Sequence, residues 1–325
     1  MRKVGHIVLL VSLVAILVLS PSISGSAKYP TKEVEIIVPW SAGGATDLLF
    51  RAVAAVWPKH ANGHPMLIKN VPGGGAVPGV VEFQKGRPDG YTLLGMATPI
   101  ITKIHMSPVP FDVDSFEPVA MLVDNPCMIM VNTASPVKNL NDFIEEARRN
   151  PNAITVGNGG AGGGTHLAAL AFEHFVGIEL LHVPFPGGGP SVTAVVGNHV
   201  GSTMVSAPEG FPNVEAGQLR IIGIFGEERL PKFPDAPTAK EQGIDFCVTM
   251  WRGVCTQPNT PPEIVQAIND ILVNCLKDPE FLEKAEELGI IIEYKAPKEF
   301  GEFMKLEDKR YEELIKSKKL GERYK

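Results

Sequence analysis

The chain has 325 residues, 44% of them hydrophobic and 20% charged, with a formal net charge of −6. That composition builds one large core or two modest ones and excludes a disordered chain. The acidic balance gives no footprint for nucleic acid, and the four cysteines Cys127, Cys247, Cys255 and Cys275, without a CxxC pair, argue against a zinc site.

The N-terminus carries Arg2 and Lys3, an apolar run from Ile7 to Leu19, then Pro21 and small residues up to Ala27. The run is short for a membrane span and has the flanks of a secretory signal, so an exported, periplasmic protein cleaved near Ala27 is expected. Cleavage would remove Arg2 and Lys3 and no acid, leaving 28 basic against 36 acidic residues and a formal charge of −8. Export also permits a disulfide among Cys127, Cys247 and Cys255, with its connectivity open.

Val34 to Val38 is a β-branched run suited to a strand buried on both faces, ended by Pro39. Gly43 and Gly44 then allow the chain to reverse, and Leu48, Leu49, Ala52, Val53 and Val56 carry a helix stripe that Pro58 is expected to stop. The first N–H groups of a helix have no internal partner and lie at its positive end, so this turn forms a seat for an anion such as a carboxylate. Trp40, Ser41, Ala42, Gly43, Gly44, Thr46 and Asp47 are the first set of candidate ligand residues. A bare Asp47 carboxylate would repel an anion, so its expected role is to cap N–H groups or orient the loop. Trp40 walls the cleft or fills the core.

Pro65 to Val71 reads as a second strand, Val77 to Phe83 as a helix after Gly73-Gly74-Gly75, and Tyr91 to Met96 as a third strand after the turn Arg87-Pro88-Asp89-Gly90. This alternation predicts an α/β sheet with parallel pairs. Pro108 to Pro118 reads as irregular. The apolar stretch Val119 to Val131, interrupted at Asn125 and Pro126, reads as a crossing into a second domain. Leu140 to Arg149 is a helix capped by Asn139 or Asn141, and Ala153 to Val156 is a short strand.

The second informative loop runs from Gly157 to His166 into a helix over Leu167 to Phe175, repeating the order strand, glycine loop, hydroxyl residue, helix. Asn158, Gly159, Gly160, Gly162, Gly163, Thr165 and His166 are the second candidate set, facing the first across a cleft. Two roles stay open for His166: its imidazole donates to a bound anion, or it packs against its own helix. Gly157, Gly159 and Gly162 form a literal GxGxxG, but the next strand, Leu180 to Val183, ends in Pro184 and Phe185 rather than an acid. No lysine follows the glycines as in a nucleotide-phosphate loop, and GxSxG and HExxH are absent. A third glycine loop, Phe185 to Ser191, adds Phe185 and Gly187, and the strand Val200 to Val205 adds Ser206 at its end.

Leu219 to Phe225 is a further strand, Asp235 to Gly243 a turn and short helix, and Phe246 to Cys255 a return crossing. Thr260-Pro261-Pro262-Glu263 reads as a capping box, Asp278-Pro279 opens a helix closed by Gly289, and Pro297 to Lys318 is a last amphipathic helix. The expected layout is a signal over 1–27, one domain from 28–124 plus 251–325, and a second from 125–250.

Several stretches resemble, in order, the extracytoplasmic substrate-binding receptors of tripartite tricarboxylate transporters, the Bug family. They are Val38-Pro39-Trp40-Ser41-Ala42-Gly43-Gly44-Ala45-Thr46-Asp47, Pro88-Asp89-Gly90-Tyr91-Thr92-Leu93-Leu94, and Gly160-Ala161-Gly162 with Thr165-His166-Leu167-Ala168. His182-Val183-Pro184-Phe185, Pro234-Asp235-Ala236-Pro237-Thr238 and Trp251-Arg252-Gly253 continue the series. The resemblance implies a two-domain, periplasmic-binding-protein-like α/β fold, hinge-linked, with a ligand cleft between the domains. It implies no catalysis, no cofactor and no metal, and a monomer that closes on a small carboxylate (a di- or tricarboxylate, an acidic amino acid or an aromatic acid) and delivers it to integral membrane transporter subunits. It also implies that the loops at Trp40 to Asp47 and Asn158 to His166 hold one carboxylate through backbone amides and water. The chain departs from the family at Phe185-Pro186, where Tyr and a basic residue are usual, and at Gly201, where Asp is common; both bear on the distal end of the ligand. The competing readings are a nucleotide-linked enzyme using the Gly157 loop and a sensor for a membrane kinase.

Overall fold

The computed structural model describes residues 29–317 and residue 320, so the basic start, the apolar run and the expected cleavage at Ala27 lie outside the described residues. The first third contains β1 (Val34–Val38), α1 (Ala45–His60), β2 (Met66–Asn70), α2 (Val77–Phe83), β3 (Thr92–Ala97) and α3 (Thr98–Met106). The middle contains β4 (Glu117–Asn132), α4 (Leu140–Arg149), β5 (Thr155–Asn158), α5 (Gly164–Val176), β6 (Leu181–Pro184) and α6 (Gly188–Val196). There follow β7 (Ser202–Ser206), α7 (Phe211–Glu215), β8 (Leu219–Ile224), β9 (Thr249–Thr256), α8 (Pro262–Lys277), α9 (Pro279–Leu288), β10 (Ile292–Lys295) and α10 (Pro297–Ser317).

One path of strands, β2-β1-β3-β9-β4-β7-β5-β6, joins the molecule, with β8 and β10 paired onto β4. β2, β1 and β3 are parallel, as are β7, β5 and β6, while β9 and β4 run antiparallel to their neighbours. The sixteen-residue β4 belongs to both halves. Its residues up to Pro126 pair with β9, and from Cys127 onward they pair with β7 and β8. Asn125 and Pro126 therefore do not interrupt the strand, as the sequence had suggested. Proline has no N–H to give a ladder, and here it stands where β4 changes partners.

Burial explains why the strands are so apolar. In the first half Ile36, Leu93 and Val254 face one core with Phe50, Trp57, Ile268, Leu272 and Phe281, under α1, α8 and α9. Their chain neighbours Ile37, Leu94 and Cys255 face the opposite core with Phe83, Ile100, Trp251 and Phe300, under α2, α3 and α10. The second half repeats this: Ile129 and Val131 pack with Phe143 and Phe172, whereas Met128 and Met130 pack with Val192 and Phe211. A strand with period-two side chains and helices on both faces must be apolar at nearly every position.

Local rules hold at several helix ends. Asn139 accepts from Asp142 N at 2.8 Å, Asp278 accepts from Glu280 N at 3.0 Å, and Gly289 closes α9 in the left-handed region. Others fail. α1 runs through Pro58 to His60, because a proline near a helix C-terminus costs only one interior hydrogen bond. Thr260 gives its hydroxyl to Gln257 O, so α8 starts behind Pro261 without a side-chain cap. The sequence reading also passed over α3 and β10. All four cysteines are free, Cys247 exposed and the other three buried, so the structure contains none of the disulfides left open above.

Candidate functional site

The two glycine loops have the same construction. Gly43 and Gly162 adopt φ +80° and +72°, which L side chains resist, and each hands its N–H to the side chain four residues on. Gly43 N donates to Asp47 Oδ2 at 2.9 Å, and Gly162 N donates to His166 Nδ1 at 3.0 Å. Gly44 N bonds to Ser41 O and Gly163 N to Gly160 O, so both chains enter their helices along the same path. Gly44, Gly163 and Gly187, the N-caps of α1, α5 and α6, have no side chain to cap the helices they open. The N-terminal turns of three helices are thus offered to whatever lies between them.

Asp47 is buried and takes two more hydrogen bonds, from Arg51 Nε at 2.7 Å and Asn70 Nδ2 at 3.0 Å. Burial pushes its carboxyl up, but those bonds and the Gly43 N–H outweigh it and hold the group below its ordinary value. Its geometry is that of a loop-orienting residue. In His166, burial pushes the imidazole down to about 4, with His182 beside it adding to the shift. Its Nδ1 is occupied as an acceptor by its own loop, and the ring packs edge-on to His182.

Trp40, Gly44, Thr46, Gly159, Gly163 and Thr165 come together around one small cavity of about 40 Å³ where the halves meet. Its wall also includes residues outside the two candidate sets, among them Gly188, Glu209 and Arg252. Arg252, on β9, is only 6% exposed. Its Nε donates to Thr46 Oγ1 at 3.2 Å and its Nη1 to Ser206 Oγ at 3.3 Å and Met250 O at 3.1 Å, while Nη2 has no hydrogen-bond partner among the described residues. Burial pushes its pKa down, with Glu209 opposing that. Glu209 follows β7 on a 3₁₀ turn capped by Ser206. Its Oε2 accepts from Ser206 N at 2.9 Å and its Oε1 from Ala45 N of the other half at 3.1 Å. Burial pushes the Glu209 carboxyl up despite Arg252 and these two N–H groups.

Close backbone approach accounts for the third glycine loop. A Cβ on Gly187 would stand 2.3 Å from Ser41 Oγ, and one on Gly188 would stand 2.0 Å from Glu209 Oε1. Ser41 reaches Pro186 O at 3.4 Å. Ala42 and Gly43 are exposed beside this contact rather than on the cavity wall. Asn158 is buried; its Oδ1 accepts from Gly160 N, while its Nδ2 has no partner among the described residues. The glycines of the GxGxxG fit protein neighbours: Gly157 packs on Ser191 and Phe185, and Gly159 on Thr165 and the Gly187-Gly188 backbone.

A second chamber of about 260 Å³ adjoins the first, sharing Trp40 and Gly159, and is lined by Gly73 to Ala76, Gly160, Phe185, Pro186 and Lys103. Lys103 comes from α3, the helix absent from the sequence reading. A larger groove of about 910 Å³ lies between α8 and α10, away from every candidate residue.

Two signals in the sequence pointed to the missing residues. Ser206-Ala207-Pro208-Glu209 has the capping-box pattern, and Arg252 is a charge inside an otherwise apolar strand. Lys103 had no local signal.

Comparison with known proteins agrees with this architecture. A solved structure described as a periplasmic transporter superposes with a TM-score of 0.86 at 28% identity, covering 90% of this chain and 99% of that one. MatC from Rhodopseudomonas palustris, solved with bound malate, gives 0.82 at 26% identity over 88% of this chain and all of that one. An R. palustris protein solved with adipate gives 0.85 at 26% identity, covering 90% of this chain and 99% of that one. Among curated relatives, a UPF0065 protein from the gbd 5′ region of Cupriavidus necator is 30% identical over 288 residues, 87% of this chain and 86% of its own length. BugT of Bordetella pertussis is 27% identical over 260 residues, 78% of this chain and 79% of its own. Among the described residues no helix is long and apolar enough to cross a membrane. Residues 49–320 match the model of the tripartite tricarboxylate transporter family receptor, and the chain belongs to that family of periplasmic-type binding proteins.

Proposed function

We propose that this chain is an exported, non-enzymatic receptor that captures a small carboxylic acid between its halves and delivers it to the membrane subunits of a tripartite transporter. The observation that carries this reading is Arg252: a buried guanidinium with one nitrogen unpartnered among the described residues, facing a cavity on which three helix starts with glycine N-caps converge. A buried cation without a carboxylate partner is costly, and a ligand carboxylate relieves that cost while taking N–H bonds from the helix starts. The malate and adipate held by two relatives support the ligand class. Lys103 in the adjoining chamber supplies a second positive group for acids with a distal anion.

The lobes on this reading are 29–124 with 251–317, and 125–250. They hinge where β4 and β9 cross, since among the described residues those strands carry the ladder pairing through the junction. The cavity between the loops is smaller than a dicarboxylate, so capture requires opening and reclosing. We place the ligand carboxylate against Arg252 Nη2 and the N–H groups at Gly164 and Thr165, with Thr46 and Ser206 fixing the guanidinium. Trp40 and Phe185 wall the ligand, and Asp47 and His166 hold the loops. The receptor works as a monomer.

The test is a thermal-shift and calorimetric screen of the purified protein against mono-, di- and tricarboxylates, amino acids and nucleotides. A ligand at about 100 times its dissociation constant adds about 2.7 kcal/mol of stability. Binding of one acid class, weakened at least tenfold by Arg252→Met, supports the reading. A response to nucleotides alone would overturn it.

A further inference from the structure

The acid in the cavity wall is as informative as the base. Glu209 is half-buried, with its carboxylate packed close against the backbone of Gly188. It lines the same cavity as Arg252, yet the two make no ion pair. Ser206 stands between them, accepting from Arg252 Nη1 through its hydroxyl and donating its backbone N–H to Glu209. The pocket therefore presents a carboxylate and a guanidinium side by side, separated by one residue, rather than a neutralised contact pair.

A turn cap alone does not explain this arrangement. Capping Ser206 needs one Glu209 oxygen; the other reaches across the cleft to Ala45 N, the first N–H of α1. Glu209 thus occupies part of the anion seat that the first glycine loop builds. A ligand bearing only a carboxylate would meet Arg252 and the Glu209 carboxylate at once. A carboxylate has about four acceptor positions, and Glu209 uses two of them on the protein.

We infer that the solute is zwitterionic, a carboxylic acid carrying a protonated amine close to its carboxylate, as in an α-amino acid. Its carboxylate faces Arg252 and the starts of α5 and α6, and its ammonium faces Glu209, which acts as the residue that sets specificity. This rests on the receptor reading above and narrows its ligand class.

The experiment compares matched pairs by calorimetry on the purified protein: aspartate with succinate, glutamate with glutarate, and leucine with 4-methylpentanoate. The expected result is at least tenfold tighter binding of the amine-bearing member in the pair that fits. Glu209→Gln should shrink that ratio severalfold, and Glu209→Asp, which keeps the charge, should restore part of it. A cap with no ligand contact would alter stability without moving the ratio. Equal or tighter binding of the amine-free acid by the unmodified protein refutes the inference while leaving carboxylate capture standing. A ratio unchanged in Glu209→Gln refutes Glu209 as its source. Binding of neither member of any pair, with an amine-free acid found as the ligand in the wider screen, refutes the inference and leaves the receptor reading standing.

Discussion

Asp47 and His166 occupy the same place in the two glycine loops, and their unequal surroundings predict unequal losses on truncation. In Asp47→Ala, Gly43 N–H loses its acceptor, Asn70 Nδ2 keeps its bond to Trp40 O, and Arg51, whose side chain is 53% exposed, keeps a 3.4 Å contact with Asn70 Oδ1 and otherwise returns to water. A partly buried donor left unmet costs about 1–3 kcal/mol, a hydrogen bond to a charged group about 1.5–3, and an exposed ion pair at most about 1. Allowing for relaxation and for water reaching Gly43, the sum is about 2–4 kcal/mol. In His166→Ala a single N–H bond to a neutral ring is lost with its edge contact to His182, worth about 1–2 kcal/mol together. Urea unfolding of both variants against the unmodified protein measures the difference directly. Carboxylate affinity should fall in each, because each loop carries the start of a helix at the proposed binding site. If Asp47→Ala costs less than about 1 kcal/mol, or no more than His166→Ala, the charged three-bond anchor is not what shapes the first loop.

Other outcomes follow from the same geometry. Burial pushes the carboxyl of Asp124, on β4 where it meets Thr249 of β9, up to about 6. The folded protein then holds that proton more tightly than the unfolded chain, so stability falls as pH rises from about 4 through 6. Asp124→Asn should match the unmodified protein near pH 4.5 and exceed it at pH 7.5 by about 1–3 kcal/mol; equal pH profiles in urea melts would contradict this. His166 has the opposite sign. Its folded value near 4 lies below 6.5, so its contribution is present above pH 6.5 and lost as pH falls toward 4, and His166→Ala should flatten that part of the melting-temperature profile. Gly43→Ala meets no atom within 4 Å and should cost only the left-handed backbone strain of about 1–2 kcal/mol, whereas Gly188→Ala must displace the Glu209 carboxylate and should cost more and weaken closure. Lys103→Met should weaken acids with a distal anionic group and leave monoacids largely unaffected in the same calorimetric assay.

Much of this molecule follows from short-range rules. The β-branched run at Val34, Asn139 before its helix, Asp278-Pro279 with Gly289, and both glycine loops are readable because each feature depends on residues a few places apart. Backbone geometry at Gly43 and Gly162 is of that kind, since the side chains that hold those loops lie four residues on. The charges at the centre of the cleft are of another kind. Arg252 reaches Thr46 across 206 positions and Glu209 reaches Ala45 across 164. Neither partnership has a periodicity or a spacing to announce it. Arg252 entered the sequence reading only within a family resemblance, and Glu209 did not enter it at all. The passage of β4 through Pro126 also depends on the distance at which β9, β7 and β8 assemble around it, because only that arrangement decides which backbone groups need partners. The sequence by itself determined the seats for an anion. The tertiary structure decided that a half-buried acid shares one seat and a buried base faces it, because the energy of a charge depends on its whole surroundings and not on its neighbours in the chain.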